Sequence, residues 1–79
     1  MPSEVEILSD YIRTELGYNG ELTPELDLFG KKVLDSFSIV QIAVFIQDRF
    51  HLELDADDLV GENFSTLSRI VALIAKRTS

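Results

Sequence analysis

Leu34-Asp35-Ser36-Phe37-Ser38-Ile39-Val40-Gln41-Ile42-Ala43-Val44-Phe45-Ile46-Gln47-Asp48-Arg49-Phe50 is the longest apolar-periodic stretch of the chain. Ile39, Ile42, Ala43, Ile46 and Phe50 recur at helical spacing, which predicts a helix over residues 36–50 with these side chains toward a core. Asp35 and Ser36 both suit an N-cap. Capping needs only one of them, so the other is free for a different role. Phe37, Val40 and Val44 fall on another side of the same helix. Burying one helix all round is hard in a small domain, so this second strip reads as a face for a partner. Arg49 and His51 place positive charge where the helix dipole favours it.

Upstream, Val5, Leu8, Ile12 and Leu16 make one stripe, with Tyr11 beside it, and predict a helix over residues 4–16. Ser3 with Glu6 forms a capping box, and Gly17 supplies the stop. A long loop over residues 17–34 follows, punctuated by Gly17, Asn19, Gly20, Pro24 and Gly30. Leu22, Leu26, Leu28 and Phe29 are expected to pin it to the core. A short helical turn over residues 24–28, capped by Thr23, is compatible with Pro24 at its first position.

Downstream, residues 51–54 alternate like a strand but are too short to pair, and should run extended with Leu52 or Leu54 buried. Asp55 caps a predicted short third helix over residues 55–60, with Asp57 and Asp58 in its first turn and Gly61 at its end. Phe64 anchors the chain, and Ser65 caps a last helix over residues 66–76. Leu67, Ile70, Val71 and Ile74 form its apolar face. The expected fold is a single all-α domain over residues 1–79. It is a small four-helix bundle: three longer helices, a short third helix, and a long loop between the first two.

Composition narrows the function. With 14 acidic against 7 basic residues the formal charge is -7, which disfavours nucleic acid and anionic membranes as partners. The same charge steers basic protein surfaces toward the chain, or simply keeps it soluble. There is no cysteine, so neither a disulfide nor a thiolate metal site can form. No apolar run approaches the ~20 residues of a membrane span, and the N-terminus lacks a signal-peptide pattern. A cytoplasmic monomer is expected.

Few residues suit catalysis. A hydrolytic serine needs a base in hydrogen-bond reach, and the single histidine, His51, lies some 20 Å along the same helix from Ser36. No Gly-x-Ser-x-Gly elbow is present. Asp55, Asp57 and Asp58 fail the calcium-loop pattern, because the sixth and twelfth positions hold Val60 and Thr66. A metal site is not expected. Lys31-Lys32 is too small for a nucleic-acid patch and reads as a solvated loop or a local selector of partners. Ser36 is therefore read as a hydroxyl modified by another enzyme, with the helix N-terminus favouring an attached phosphate.

These residues resemble the acyl, peptidyl and aminoacyl carrier proteins. Leu34-Asp35-Ser36-Phe37 is similar to the family's Asp-Ser-Leu modification motif, with Phe in place of Leu. The resemblance extends to Leu26-x-Leu28-Phe29, to Arg49-Phe50, and to the segment Asp58-Leu59-Val60-Gly61-Glu62-Asn63-Phe64-Ser65-Thr66-Leu67. It implies that Ser36 takes a 4'-phosphopantetheine arm from coenzyme A, delivered by a separate magnesium-dependent phosphopantetheinyl transferase. It implies a carrier rather than an enzyme, whose arm holds cargo as a thioester. A cargo-loading ligase or acyltransferase and a downstream synthase would be its other partners. Phe37, Val40, Gln41, Val44 and Asp48 would form the docking face, joined by Asp57 and Asp58.

Typical fatty-acid carriers have several acids on this helix, whereas here only Asp48 lies within it. Leu-Asp-Ser-Phe followed by Val-Gln is similar to D-alanyl carriers of teichoic-acid modification. Glu62-Asn63-Phe64 resembles free-standing carriers of unusual extender units in polyketide or nonribosomal-type metabolism, which is the favoured reading. A modification-independent helical adaptor is the remaining alternative.

Overall fold

The computed structural model describes residues 3–78. Helix α1 spans Glu4–Glu15, α2 spans Ser36–Phe50 and α3 spans Leu67–Thr78, with 3-10 turns at Ala56–Asp58 and Gly61–Phe64. No strand occurs among the described residues. The all-α expectation holds, and α2 has the bounds that its periodicity predicts.

The core is built where the stripes converge. Leu8 and Ile12 of α1, Ile42, Ala43 and Ile46 of α2, and Leu67, Ile70, Leu73 and Ile74 of α3 are buried together. Phe64 is fully buried among them, as the expected anchor. Leu52 is buried and Leu54 half-buried, so the extended segment after α2 packs as predicted. Gln47 holds that segment in place: its side-chain carbonyl accepts the Leu54 N–H at 3.0 Å.

Ser3 caps α1 by accepting the Glu6 N–H at 3.2 Å, and Gly17 turns the chain away at φ 71°. His51 ends α2 in the left-handed conformation, φ 56°, with the His51 and Leu52 N–H groups both donating to the Gln47 carbonyl. Such a position usually holds Gly; His is among the side chains that tolerate it.

Several boundaries differ from expectation, and α1 stops at Glu15, one residue short of the predicted 4–16. In place of the predicted third helix over residues 55–60 stands one 3-10 turn at Ala56–Asp58, broken off at Leu59, whose φ -86° and ψ 54° leave the helical region. The Asp58 carboxylate turns back to accept the Asp55 N–H at 2.9 Å and pairs with Arg77, which closes the turn after three residues. Gly61 therefore opens the second turn rather than ending a helix. The cap of α3 is Thr66, not Ser65: its hydroxyl accepts the Arg69 N–H at 3.1 Å. Finally, α3 runs on to Thr78.

The long first loop is fastened to α3. Ser68 N–H donates to the Pro24 carbonyl at 3.0 Å, and Leu28 N–H donates to the Ser65 carbonyl at 2.8 Å. The first bond satisfies a donor that the first turn of a helix leaves open. Leu28 is fully buried, and Leu22, Leu26 and Phe29 pack partly against the core, so the predicted pins are in place. Residues 24–28 form no helix; the ordered turn lies just beyond them.

That turn is a complete, capped unit. The Asp27 carboxylate accepts the Phe29 and Gly30 N–H groups at 3.1 and 3.0 Å. A Cβ on Gly30 would stand 2.6 Å from the Asp27 carboxylate, so a larger residue there would push this cap aside. At its far end, Lys32 N–H donates to the Phe29 carbonyl at 3.0 Å and Val33 N–H to the Leu28 carbonyl at 2.8 Å. With Lys32 at φ 59°, this is a Schellman closure, and its apolar pair, Leu28 and Val33, lies in the core.

Candidate functional site

The capped turn delivers the chain directly to the start of α2. Leu34 is buried, which fixes the approach from one side. Asp35 is the N-cap, with φ -136° and ψ -173°, and its carboxylate accepts the Ser38 N–H at 2.9 Å. Sequence alone allowed Asp35 or Ser36 in this role, and the structure assigns it to Asp35. The Ser38 N–H, helped by its hydroxyl, holds the Asp35 carboxyl below its ordinary pKa. Ser38 itself is buried, which fixes the stretch from the other side.

Ser36 is left at the first helical position, exposed. Its hydroxyl makes no hydrogen bond among the described residues. No base stands near it: His51 closes the opposite end of α2, about 22 Å away at 1.5 Å per residue. The site offers an accessible nucleophilic oxygen at a helix N-terminus, a place that suits a phosphate ester, without groups to activate it.

From Ser36 an apolar strip runs along α2. Phe37 is 71% exposed, Val40 51% and Val44 58%. Their i, i+3, i+7 spacing puts them on one stripe, opposite the buried Ile42 and Ile46. Gln41 is half-buried beside α1, where its carbonyl accepts the Tyr11 hydroxyl at 3.4 Å. Asp48 and Asp57 are exposed. Leu59 and Val60, exposed by 37% and 45% where the two 3-10 turns meet, are further open apolar residues. Sequence reasoning missed these two because it placed them inside a continuous helix.

Asp58 does not belong with the exposed acids. It is 3% exposed, with its carboxylate 2.5 Å from the Arg77 guanidinium. The Asp55 N–H, with Arg77 adding to it, holds this carboxyl below its ordinary pKa. It ties the segment after α2 to the end of α3 and presents no free charge to a partner.

A separate open groove of about 540 Å³ lies along α1 and the later part of α2, lined by Ile7, Tyr11, Phe45 and Arg49 with Asp10, Thr14 and Glu15. Tyr11 stacks on Phe45 at 4.1 Å between ring centroids. Its hydroxyl pKa is raised by burial and by the nearby Glu15. Ser36 takes no part in this groove.

No group of His, Asp and Glu among the described residues is arranged to hold a metal ion. No helix among them is long and apolar enough to cross a membrane. No curated protein matches the chain. A family model described as "Phosphopantetheine attachment site" matches residues 6–74, which takes in all of α2 with the exposed serine at its head and most of α1 and α3. Carrier domains of this kind work with phosphopantetheinyl transferases and with synthase partners, and are in general substrate-carrying proteins. The chain belongs to the phosphopantetheine-binding family, and covalently bound 4'-phosphopantetheine is its cofactor.

Proposed function

We infer that Ser36 is the attachment point, and that the chain holds an acyl or aminoacyl cargo as a thioester on the arm and presents it to biosynthetic enzymes. The observation that carries this is the isolation of the Ser36 hydroxyl. It is exposed and unpartnered at the first position of α2, with the only adjacent carboxylate, Asp35, committed to the Ser38 N–H. The chain supplies the oxygen that bonds to the pantetheine-side phosphorus of coenzyme A, as the pyrophosphate P–O bond breaks and adenosine 3',5'-bisphosphate leaves. The base that takes its proton and the metal that neutralises the leaving phosphate come from the transferase. The arm adds a thiol that the cysteine-free sequence lacks.

Phe37, Val40 and Val44 form the docking strip, with Asp48 and Asp57 as charged neighbours and Gln41 at its inner edge. Only Asp48 among α2 residues carries negative charge, which argues for partners that read apolar shape more than acidity. This favours specialised metabolism of the polyketide or nonribosomal type over fatty-acid synthesis, with D-alanyl transfer as the competing assignment.

Incubation with coenzyme A, magnesium and a promiscuous transferase should add one arm by intact mass, and Ser36→Ala should add none. An unmodified wild-type chain would refute the reading. The exposed strip also fits an adaptor that needs no arm. Binding of an isolated partner that survives Ser36→Ala but is lost in Val44→Asp would favour that alternative.

A further inference from the structure

Seven cationic side chains stand in this acidic sequence, and most are engaged within the fold. Arg13 donates to the Gly20 carbonyl at 3.0 Å, and Arg69 pairs with Glu62 at 3.6 Å. Arg77 pairs with Asp55 and Asp58, Arg49 lies over the Phe50 ring at 5.7 Å, and Lys76 acts on Asp58. The two that remain are Lys31 and Lys32. Both are exposed, and neither ammonium has a hydrogen-bond or ion-pair partner among the described residues.

Their position is fixed by the backbone. They close the capped turn over residues 27–33, whose hydrogen bonds and buried Leu28, Val33 and Leu34 leave little freedom. Lys32 sits at φ 59°, where Gly is the unstrained choice, so a lysine there carries a backbone cost. Ser36 is four positions after Lys32, which limits their Cα distance to about 14 Å. The nearest acids are occupied: Asp27 caps the turn and Asp35 caps α2.

We propose that Lys31 and Lys32 form a recognition site for the phosphodiester that links the arm to Ser36. The inference rests on Ser36 being the attachment point. The lysines supply local positive charge to a phosphate that would otherwise sit in the field of a chain with formal charge -7. Tethering keeps that phosphate at high effective concentration, so two flexible ammonium groups suffice. The interaction orients the first atoms of the arm and leaves the apolar strip of α2 free.

The chain has three lysines, Lys31, Lys32 and Lys76, so side-chain NMR spectra resolve them readily. At one fixed pH the side-chain resonances of Lys31 or Lys32 should shift between the unmodified and the arm-bearing form, while those of Lys76 stay in place. In the arm-bearing Lys31→Gln/Lys32→Gln variant the phosphorus resonance should move from its wild-type position, and in Lys76→Gln it should not. Side-chain resonances of Lys31 and Lys32 that the arm leaves unmoved, or a phosphorus signal indifferent to the double substitution, overturns the proposal. A chain that takes up no arm overturns the attachment reading instead, and this one with it.

Discussion

Phe37→Ala separates docking from folding at one position. Phe37 is 71% exposed, directly after Ser36, and lies outside the core. Complete burial of such a side chain stabilises by about 1.5–3 kcal/mol, so a partner that covers the exposed part gains about 1–2 kcal/mol from it. Removal should lower kcat/KM for arm addition about 5- to 30-fold, at about 1.4 kcal/mol per factor of ten. Stability should scarcely move, because little of the ring is buried and Ala is the better helix former. The assay is the initial rate of mass gain at carrier concentrations below KM, with Ser36→Ala as the blank and the exposed Glu53→Ala as a control. Thermal unfolding is followed on the same samples. A rate within twofold of wild type at unchanged Tm would place Phe37 outside the interface. A fall in Tm of ten degrees or more would place it in the core and refute the assignment of α2's two faces.

The other expectations concern the frame around the site. Phe64→Ala removes a fully buried ring and should cost about 3–5 kcal/mol, a large part of the stability of so small a domain, read by urea unfolding. His51→Gly should relieve the left-handed φ of 56° at the end of α2 and raise stability by about 0.5–1 kcal/mol, visible as a higher Tm. Asp35 and Asp58 both have folded pKa values below the ordinary 3.8, so their stabilisation is complete above about pH 4 and is lost as pH falls through the folded values. Asp58→Asn should therefore lower Tm at pH 7, and the gap from wild type should narrow below pH 4. A gap independent of pH would show that its ionised form is not what matters.

The parts that sequence reveals are those with a period or a local motif. The interval of the isoleucines in α2 placed its bounds and separated Ile42 and Ile46 from Phe37, Val40 and Val44, because one helix turn determines which side chains share a face. Ser3 and Gly17 were readable for the same reason: their partners lie within a few residues. What escaped depends on distant partners or on short elements. Asp58 looked like a surface acid in an acidic run until Arg77, from the end of α3, came beside it. The turn over residues 27–33 is too short to show periodicity, and a lysine at its left-handed position hides the closure that a glycine would have advertised. Thr66 and Ser65 are equal as caps in sequence, and the choice falls to Thr66 because the Ser65 carbonyl is drawn to the Leu28 N–H.

These unread features determine how the readable ones behave. Asp35, Ser36 and Phe37 are all exposed, yet their neighbours on either side, Leu34 and Ser38, are buried. The stretch is held at both ends, by a capped turn fastened to α3 before it and by the first turn of α2 after it. A loop of the same length without those bonds would present the serine over a wide range of positions, and each partner would spend binding energy in ordering it. Here the hydroxyl stands at a defined point beside an apolar strip that is itself part of a rigid helix. Reach and mobility then have to come from the arm rather than from the polypeptide, and the domain's own contribution is to hold the arm's origin and the docking strip in one fixed relation.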